Sequence, residues 1–411
     1  MWASAATRTV AAALAAALVA SCGAGPDPSP GAGSPTVDAT GSLPGGPGVP
    51  SPTPVPAPGH ELYGFLPYWE MDDTIAAHVA ATPLTTLALF SVTNTSKGAL
   101  STTAAGYQRI TGASGSAVID AAHGRRMRVD LVFTSFGASR NRTFFGGTAV
   151  QDATIASLVA LVGKLGLDGL NVDVEGLDLT QVEAYGAFVG RLRTALVTAD
   201  AGDRLTVATP SGPTGAAMAV AALAAGADRV FLMGYDYRTA SSDPGATSPV
   251  ERADGGRSLT WSLDLYTAAG VPVQQLLLGL PLYGVTWPVA GPVIGAPATG
   301  AGQAWILRKH VDVLSDPAIV PARDDLEVVE VYLFGADGGV GLPSPGSSVA
   351  PDSTWSAVYV DSPATLEVKL GLAEARGLAG AGFWAIGYER GLPGYTDLMT
   401  RFSAGAVVPA G

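Results

Sequence analysis

The stretch Asp168-Gly169-Leu170-Asn171-Val172-Asp173-Val174-Glu175 decides how this 411-residue chain is read. Side chains alternate between the two faces of a β-strand, so the apolar and polar residues of this stretch separate. The polar face carries Asn171, Asp173 and Glu175 together. Burying carboxyl groups without partners costs free energy, and a purely structural strand would not place three polar groups on an inner face. The pattern therefore predicts a site that moves protons; the alternative is an edge strand with a solvated polar face.

Short apolar runs alternate with longer Ala- and Leu-rich segments from residue 60 onward. Eight of these runs are candidate strands, at residues 62–66, 86–91, 127–134, 169–175, 205–209, 229–235, 276–282 and 382–386. Eight β/α units predict an α/β fold, a (β/α)8 TIM barrel, whose active site lies at the C-terminal ends of the strands. A doubly wound open sheet would show a similar alternation, but no Gly-rich phosphate loop follows the first strand.

The alternation breaks between the seventh and eighth candidate strands. Residues 285–360 carry Pro/Gly turns and short β-like pieces at 326–334 and 356–360. We expect a small inserted α+β subdomain here, beside the active-site face of a barrel that spans residues 60–405.

The first 22 residues have the character of an export signal, with Arg8 ahead of an apolar run at residues 10–20. That run is shorter than the roughly 20 residues that span a bilayer. It ends in Val19-Ala20-Ser21-Cys22, which resembles the bacterial lipobox and implies lipidation of Cys22 and a lipid anchor to the membrane. The alternative is a plain secretory signal with a coincidental cysteine. We expect an extracytoplasmic protein, either a bacterial cell-membrane lipoprotein or one secreted to the cell wall.

Residues 23–59 are dominated by Pro, Gly, Ser, Thr and Ala. A segment so poor in bulky apolar residues cannot bury enough surface to fold, so we expect a disordered linker. As a Pro-rich extended chain at ~3 Å per residue, it would reach on the order of 100 Å.

Composition excludes several classes of function. The net charge is −12, charged residues make up 14% of the chain, and no Lys/Arg cluster offers the surface that nucleic acid requires. Cys22 is the single cysteine, so neither an intrachain disulfide nor a thiolate metal cage is possible. The four histidines are scattered, and we predict neither a metal nor a cofactor: His60, His78, His123 and His310.

At the stretch 168–175 and at several other strand motifs, the chain resembles glycoside hydrolase family 18, the chitinase-like barrels. The resemblance covers residues ~60–405. The family's fourth-strand signature D-G-x-D-x-D-x-E is matched at Asp168, Gly169, Asp173 and Glu175. Further matches lie on the sixth and eighth strands: Met233-Gly234-Tyr235-Asp236, like the family's M-x-Y-D, and Gly382-Phe383-Trp384-Ala385. The first and seventh strands are similar as well, with GFLPYW at 64–69 and GLPLYG at 279–284.

The resemblance implies the chemistry of each residue. Glu175 would protonate the leaving oxygen, since burial beside other acids would raise its pKa. The family is an exception among retaining glycosidases because the substrate's own N-acetyl group is the nucleophile. Asp173 would stabilise the cyclic oxazolinium cation, and Tyr235 would bind the acetamide oxygen. The expected substrate-binding residues are Asp236, Trp384, Met233, Tyr283, Asn171 and Phe65.

Two positions depart from the family pattern. Asn171 stands where many members have an aspartate, as in the branch with chitobiase-like and spore-cortex-type hydrolases. The loss of that carboxylate should alter the acid limb of the pH profile by removing like-charge repulsion on Asp173. On the third strand, residues 135–138 only half match the family's S-x-G-G. For Asp168 we expect a supporting role, and for three tryptophans packing or plain exposure rather than sugar contact: Trp69, Trp287 and Trp305.

The sequence thus favours a surface-tethered retaining glycoside hydrolase. Its substrate would be a β-1,4-linked, N-acetylglucosamine-containing glycan of peptidoglycan or chitin type. A non-catalytic, lectin-like barrel is the alternative, although such relatives lose the acid that is kept here as Glu175. A hydrolase of another sugar on the same barrel also remains open.

Overall fold

The computed structural model describes residues 60–335 and 354–407. The predicted signal, the Cys22 lipidation site and the linker lie outside these residues. Eight parallel strands close into a barrel in which the first pairs with the last. The strands are β1 (Glu61–Pro67), β2 (Thr86–Thr93), β3 (Arg128–Phe136), β4 (Gly169–Glu175), β5 (Arg204–Pro210), β6 (Arg229–Met233), β7 (Leu276–Pro281) and β13 (Gly380–Trp384). The predicted (β/α)8 barrel is confirmed.

Helices surround the barrel and connect successive strands. They are α1 (Ile75–Ala81), α2 (Ala105–Ile110), α3 (Ala113–Gly124), α4 (Ala138–Phe145), α5 (Thr148–Leu165), α6 (Val182–Ala199), α7 (Pro213–Ala224), α8 (Leu259–Ala268), α10 (Pro363–Ala375) and α11 (Pro393–Ser403). Local chemistry sets several of their ends: α10 begins with a reciprocal Ser362–Thr365 capping box, and α5 ends at Gly166 in the left-handed region. Helix α5 has the length and composition of a membrane span, but here it packs against the barrel through Leu158 and Val162.

Strand β4 divides its side chains between two cores, as the alternating pattern predicts. Leu170, Val172 and Val174 are fully buried among the helices. Asn171 and Asp173 point the other way, into the barrel interior, where they are 0% and 4% exposed. The interior is otherwise mainly apolar and aromatic, built from Tyr63, Phe65, Ala88, Phe90, Val132, Ala208, Phe231 and Leu277. The edge-strand alternative for β4 is wrong, because β4 pairs with β3 and β5 on both sides.

The predicted insertion forms a five-stranded antiparallel sheet. Its elements are β8 (Tyr283–Val289), β9 (Gln303–Ile306), α9 (Val311–Ser315), β10 (Ala322–Asp324), β11 (Val329–Gly335) and β12 (Trp355–Val360). The strand order in the sheet is β10-β11-β12-β8-β9. The sheet begins at Tyr283, two residues before the predicted start. Trp287 is fully buried in the core of this sheet, and Trp305 stacks on His310 at 4.1 Å between ring centroids. Packing, rather than sugar contact, is therefore the role of both tryptophans.

Several strand ends differ from the prediction by one or two residues, and the differences in β6 and β13 lie close to the site. Strand β6 ends at Met233 rather than at residue 235, because its last pairing partner on β7 is Gly279. Tyr235 and Asp236 consequently lie in the loop at the barrel mouth, where Asp236 takes a left-handed φ of 59°. The last barrel strand runs from Gly380 to Trp384, two residues earlier than predicted.

Candidate active site

Glu175 ends β4 at the mouth of the barrel, where its carboxyl group is partly exposed to the cleft. Its backbone carbonyl accepts two hydrogen bonds, from the Gly137 N–H at 2.9 Å and from Asn141 Nδ2 at 2.7 Å. Burial, aided by the negative charge of Asp236, raises the pKa of Glu175 to about 7. The strand end is therefore fixed while its acid stays close to half-protonated at neutral pH.

Asp173 lies one step deeper on the same face of β4. Its side chain is 4% exposed, and its Oδ1 has no hydrogen-bond partner among the residues that the structure describes. Burial, and then the charge of Glu175, raises the pKa of Asp173 well above its usual range. Two adjacent acids that both resist ionisation will hold a proton between them near neutral pH.

Tyr235, Asp236 and Tyr283 form the opposite side of the cleft. Tyr283 donates a hydrogen bond to Asp236 Oδ1 at 2.5 Å, and Thr247 Oγ1 donates to the same oxygen at 3.3 Å. The Asp236 side chain reaches open solvent, although dense surrounding protein raises its pKa. The Tyr235 and Tyr283 rings are 6.4 Å apart, and burial followed by the charge of Asp173 raises the pKa of the Tyr235 phenol. A neutral tyrosine hydroxyl and an accessible carboxyl group thus face the cleft.

Trp384 forms an aromatic floor at the end of β13. It packs edge-on against Phe90 at 4.6 Å and lies 6.3 Å from Trp69, whose side chain is 43% exposed. Met233 contacts the interior core, along with Tyr235 and Trp384. An apolar surface with acids and a phenol around it suits a sugar ring, which has both apolar and hydroxyl faces.

Two expected substrate contacts need correction. Phe65 is 1% exposed beneath Trp384, and Asn171 is 0% exposed. Fully buried side chains have no surface left for a sugar, so both residues support the floor from below. Asp168 supports the opposite end of the barrel, since it accepts hydrogen bonds from the Val129 N–H at 2.7 Å and from His123 at 2.9 Å.

Sequence reasoning missed a supporting group behind Glu175. Asn141 accepts a hydrogen bond from Ser135 Oγ at 2.7 Å, and Ser135 accepts one from Asn94 Nδ2 at 3.0 Å. The half-matched motif at 135–138 was the available signal, because Ser135 and Gly137 are its conforming residues. Gly137 has a φ of 93°, which favours glycine, whereas Ala138 is an exposed residue at the start of α4.

The histidines and acids that the structure describes contain no group of three or more that could hold a metal ion. His60, His78 and His123 each bond to a single carboxylate: Glu374, Glu389 and Asp168. The mouth of the barrel brings together two neighbouring acids on β4, a phenol and an aromatic floor.

The comparisons with known proteins agree with this geometry. The family model described as Glycosyl hydrolases family 18 matches residues 87–389. That match covers most of the chain, and the chain belongs to glycosyl hydrolase family 18.

Individual relatives are more distant. "Nod factor hydrolase protein 1" of Medicago truncatula is 30% identical over 169 residues, which is 39% of this chain and 39% of that protein. The chain therefore aligns with about two fifths of that curated relative's length. A family 18 chitinase of Cycas revoluta, solved in complex with (GlcNAc)3, has a TM-score of 0.68 at 18% identity, covering 84% of this chain and 99% of that one. The spore cortex-lytic enzyme SleL of Bacillus cereus has a TM-score of 0.64 at 18% identity, covering 84% and 74%.

Proposed function

We propose that this protein is a retaining glycoside hydrolase that cleaves β-1,4 bonds of N-acetylglucosamine-containing glycans. The observation that carries the proposal is the set of acids at the mouth, in which Glu175 is partly exposed and has a pKa of about 7. Such an acid can protonate a leaving oxygen and later remove a proton from water.

The nucleophile would be the substrate's own acetamido oxygen. Asp173 is a poor nucleophile, because it is almost fully buried and its raised pKa keeps it protonated. The acetamido oxygen would attack the anomeric carbon as Glu175 protonates the leaving oxygen, giving an oxazolinium ion. Asp173 would stabilise that cation, and the Tyr235 hydroxyl would hold the acetamide. Water activated by Glu175 would then open the ring with retained configuration.

The remaining residues of the cleft would bind the sugar. Trp384 would pack under the pyranose ring of the reacting sugar. Asp236 is accessible and fixed by Tyr283 and Thr247, so it is placed to accept a sugar hydroxyl. The chitinase solved with (GlcNAc)3 supports a chitin-type oligosaccharide as substrate, and the cortex-lytic SleL supports peptidoglycan glycan.

The test is hydrolysis of a chromogenic chitobioside and of purified cell wall. Glu175→Gln should lower kcat by about 10³-fold, within the range of general acid–base catalysis. The matched control is Glu183→Gln, an exposed glutamate on α6 that should leave kcat unchanged. Glu175→Gln with wild-type activity would rule out the mechanism, and activity on sugars without an acetamido group would favour another hydrolase.

A lectin-like barrel is the second candidate, and the partly exposed Glu175 argues against it. Tight calorimetric binding of chitotriose with no product over days would establish it instead. The peptidoglycan and chitin alternatives separate by mass analysis of products from chitohexaose and from lysozyme-sensitive wall.

We further propose that the barrel is tethered outside the cytoplasm, through a lipid on Cys22 and the spacer at 23–59. Support comes from the lipobox-like VASC at 19–22 and from the Pro-rich composition of the spacer. Cys22→Ala should move the protein from the membrane fraction to the medium of an expressing bacterium. The same distribution for both proteins would leave only secretion to the cell wall.

A further inference from the structure

A row of three polar side chains crosses the barrel interior below the site. Asn171 Nδ2 on β4 donates to the Tyr63 hydroxyl on β1 at 3.1 Å, and that hydroxyl donates to Asp130 Oδ2 on β3 at 2.9 Å. All three side chains are at most 1% exposed. They are surrounded by Val132, Phe65 and Phe231 of the apolar interior.

Asp130 is the unexpected member of this row. Burial raises its pKa to about 7, while the Tyr63 hydroxyl and the Arg128 guanidinium act in the opposite direction. The other charges that face it, Glu61 and Asp168, raise the pKa further. Its second oxygen, Oδ1, has no partner within the described part of the chain. A buried carboxyl group with one unpartnered oxygen costs stability.

The hydrogen bonds of this row run in one direction, from donor to acceptor, and the chemistry of the three groups sets that direction. A carboxylate only accepts hydrogen bonds, so the Tyr63 hydroxyl must donate to Asp130. The Tyr63 oxygen is then free to accept from Asn171 Nδ2, which turns the amide oxygen of Asn171 away from Tyr63. That amide oxygen is buried and unpartnered in the regions that the structure covers.

Asp173 offers a partner for the unpaired amide oxygen of Asn171. It follows Asn171 on the same inward face of β4, roughly 7 Å further along the strand. Its Oδ1 is also buried without a partner among the described residues. A proton held by Asp173 and directed at the amide oxygen of Asn171 would satisfy both atoms.

We propose that Asp130 is a positioning residue of the reaction, because through Tyr63 it fixes the amide of Asn171 so that the amide oxygen accepts the proton held by Asp173. This inference rests on the proposed function. The proposal explains the asparagine at position 171. Many family members have an aspartate at this position, whereas here the side chain is an amide and the carboxyl group is that of Asp130, deeper in the barrel. Protonation of Asp130 releases the constraint on the direction of the row, so Asp173 is held in its proton-bearing state best above the pKa of Asp130.

The first test compares Asp130→Asn with Asp120→Asn, an exposed residue of α3, in the full chain on a chromogenic chitobioside. An asparagine at position 130 can donate as well as accept, so the row loses its fixed direction. We expect kcat to fall about tenfold with KM within about twofold, and the acid limb of the pH profile to move. A folded Asp130→Asn protein with the wild-type kcat and pH profile overturns the proposal.

Two further variants keep the test decisive if Asp130→Asn does not fold. Tyr63→Phe removes the central hydroxyl and should reproduce the loss of kcat and the shift of the pH profile. Asn171→Asp should restore activity to the Asp130→Asn background, because an acid beside Asp173 needs no amide orientation. Unchanged kinetics in Tyr63→Phe, or a double variant no better than Asp130→Asn, contradicts the proposal.

Failure of the proposed function would have a different signature, since the wild type itself would not cleave any glycan. Calorimetric binding of chitotriose between pH 5 and 8 then replaces turnover. Asp130→Asn must shift the pH dependence of the affinity relative to Asp120→Asn, and an unshifted dependence overturns the role of Asp130. A wild type that neither cleaves nor binds chitotriose overturns both proposals.

Discussion

Buried acids in this barrel fall into two groups that differ in their partners. In the paired group, Glu70 lies between Arg308 and Arg390 at 2.8 and 2.7 Å, and Glu389 bonds to His78 at 2.7 Å. These carboxylates are 2% and 1% exposed. Glu70 joins the end of β1 to the insertion through Arg308, and Glu389, which follows β13, bonds to α1 through His78. Each carboxylate thus has a cationic or titratable partner at hydrogen-bond distance.

The unpaired group lies on barrel strands β3 and β4, from the interior to the mouth. Asp130, Asp173 and Glu175 have no salt-bridge partner within the described residues. Acids of the first group hold elements together because their charge is compensated. Burial raises the pKa values of all three acids of the second group, so these acids can give and take protons near neutral pH.

After the loss expected for Glu175→Gln, the largest effect should come from a second change in the unpaired group, at Asp173. Asp173→Asn should lower kcat on the chitobioside by about 10²-fold. An amide cannot pass a proton to Glu175 once Glu175 has protonated the leaving oxygen, so it cannot take on the negative charge that stabilises the oxazolinium ion. Asp120→Asn is again the matched control. Steady-state kinetics at pH 6 decide the matter, and a loss below about twofold would mean that Asp173 has only a packing role.

The next largest effect is a loss of stability when a buried acid of the paired kind loses its partner. Lys369 and Asp361 are 0% and 2% exposed and bond to each other at 2.5 Å. Lys369→Met should cost about 3 kcal/mol of unfolding free energy, because Asp361 is left buried without compensation. Urea unfolding at pH 7 measures the loss, and the double variant with Asp361→Asn should recover part of it. A single variant as stable as the wild type would remove the distinction between the two groups.

The smallest expected effect is a pH-dependent difference in stability between Glu175→Gln and the wild type. Ionisation of Glu175 opposes folding, because its pKa rises from about 4.3 in the unfolded chain to about 7 in the folded one. This destabilisation is absent below pH ~4 and grows as the pH rises to 7. Glu175→Gln should therefore become more stable than the wild type over this interval, by about 1–2 kcal/mol after allowing for partial exposure. Urea unfolding at pH 4.5 and 7.5 tests the sign, and a shrinking difference would show that the acid is compensated.

The sequence was sufficient to predict the barrel and the two faces of β4. The bounds of β4 match the prediction because alternation of apolar and polar residues is a local pattern. The depth of a residue along the barrel axis is not encoded by its neighbours in sequence. Phe65 and Asn171 were therefore expected to touch a sugar, but they lie beneath the floor of the cleft.

Supporting residues were hidden for a related reason. Asn141 holds the carbonyl of Glu175 from 34 positions away, and Asp130 reaches Asn171 only through Tyr63. Such contacts depend on how neighbouring strands and helices register in space. A residue-by-residue reading contains no periodic signal for them. The loop position of Tyr235 and Asp236 was likewise set by where β7 ceases to pair with β6.

The most direct test of the account is the pH dependence of kcat/KM for the chromogenic chitobioside between pH 4 and 9. This quantity reports the acids of the free enzyme, and the account requires Glu175 to be protonated when substrate arrives. We expect kcat/KM to fall above pH ~7, near the raised pKa of Glu175. A value that stays constant to pH 9 in a folded, active protein would contradict the claim that an uncompensated acid at the barrel mouth supplies the proton.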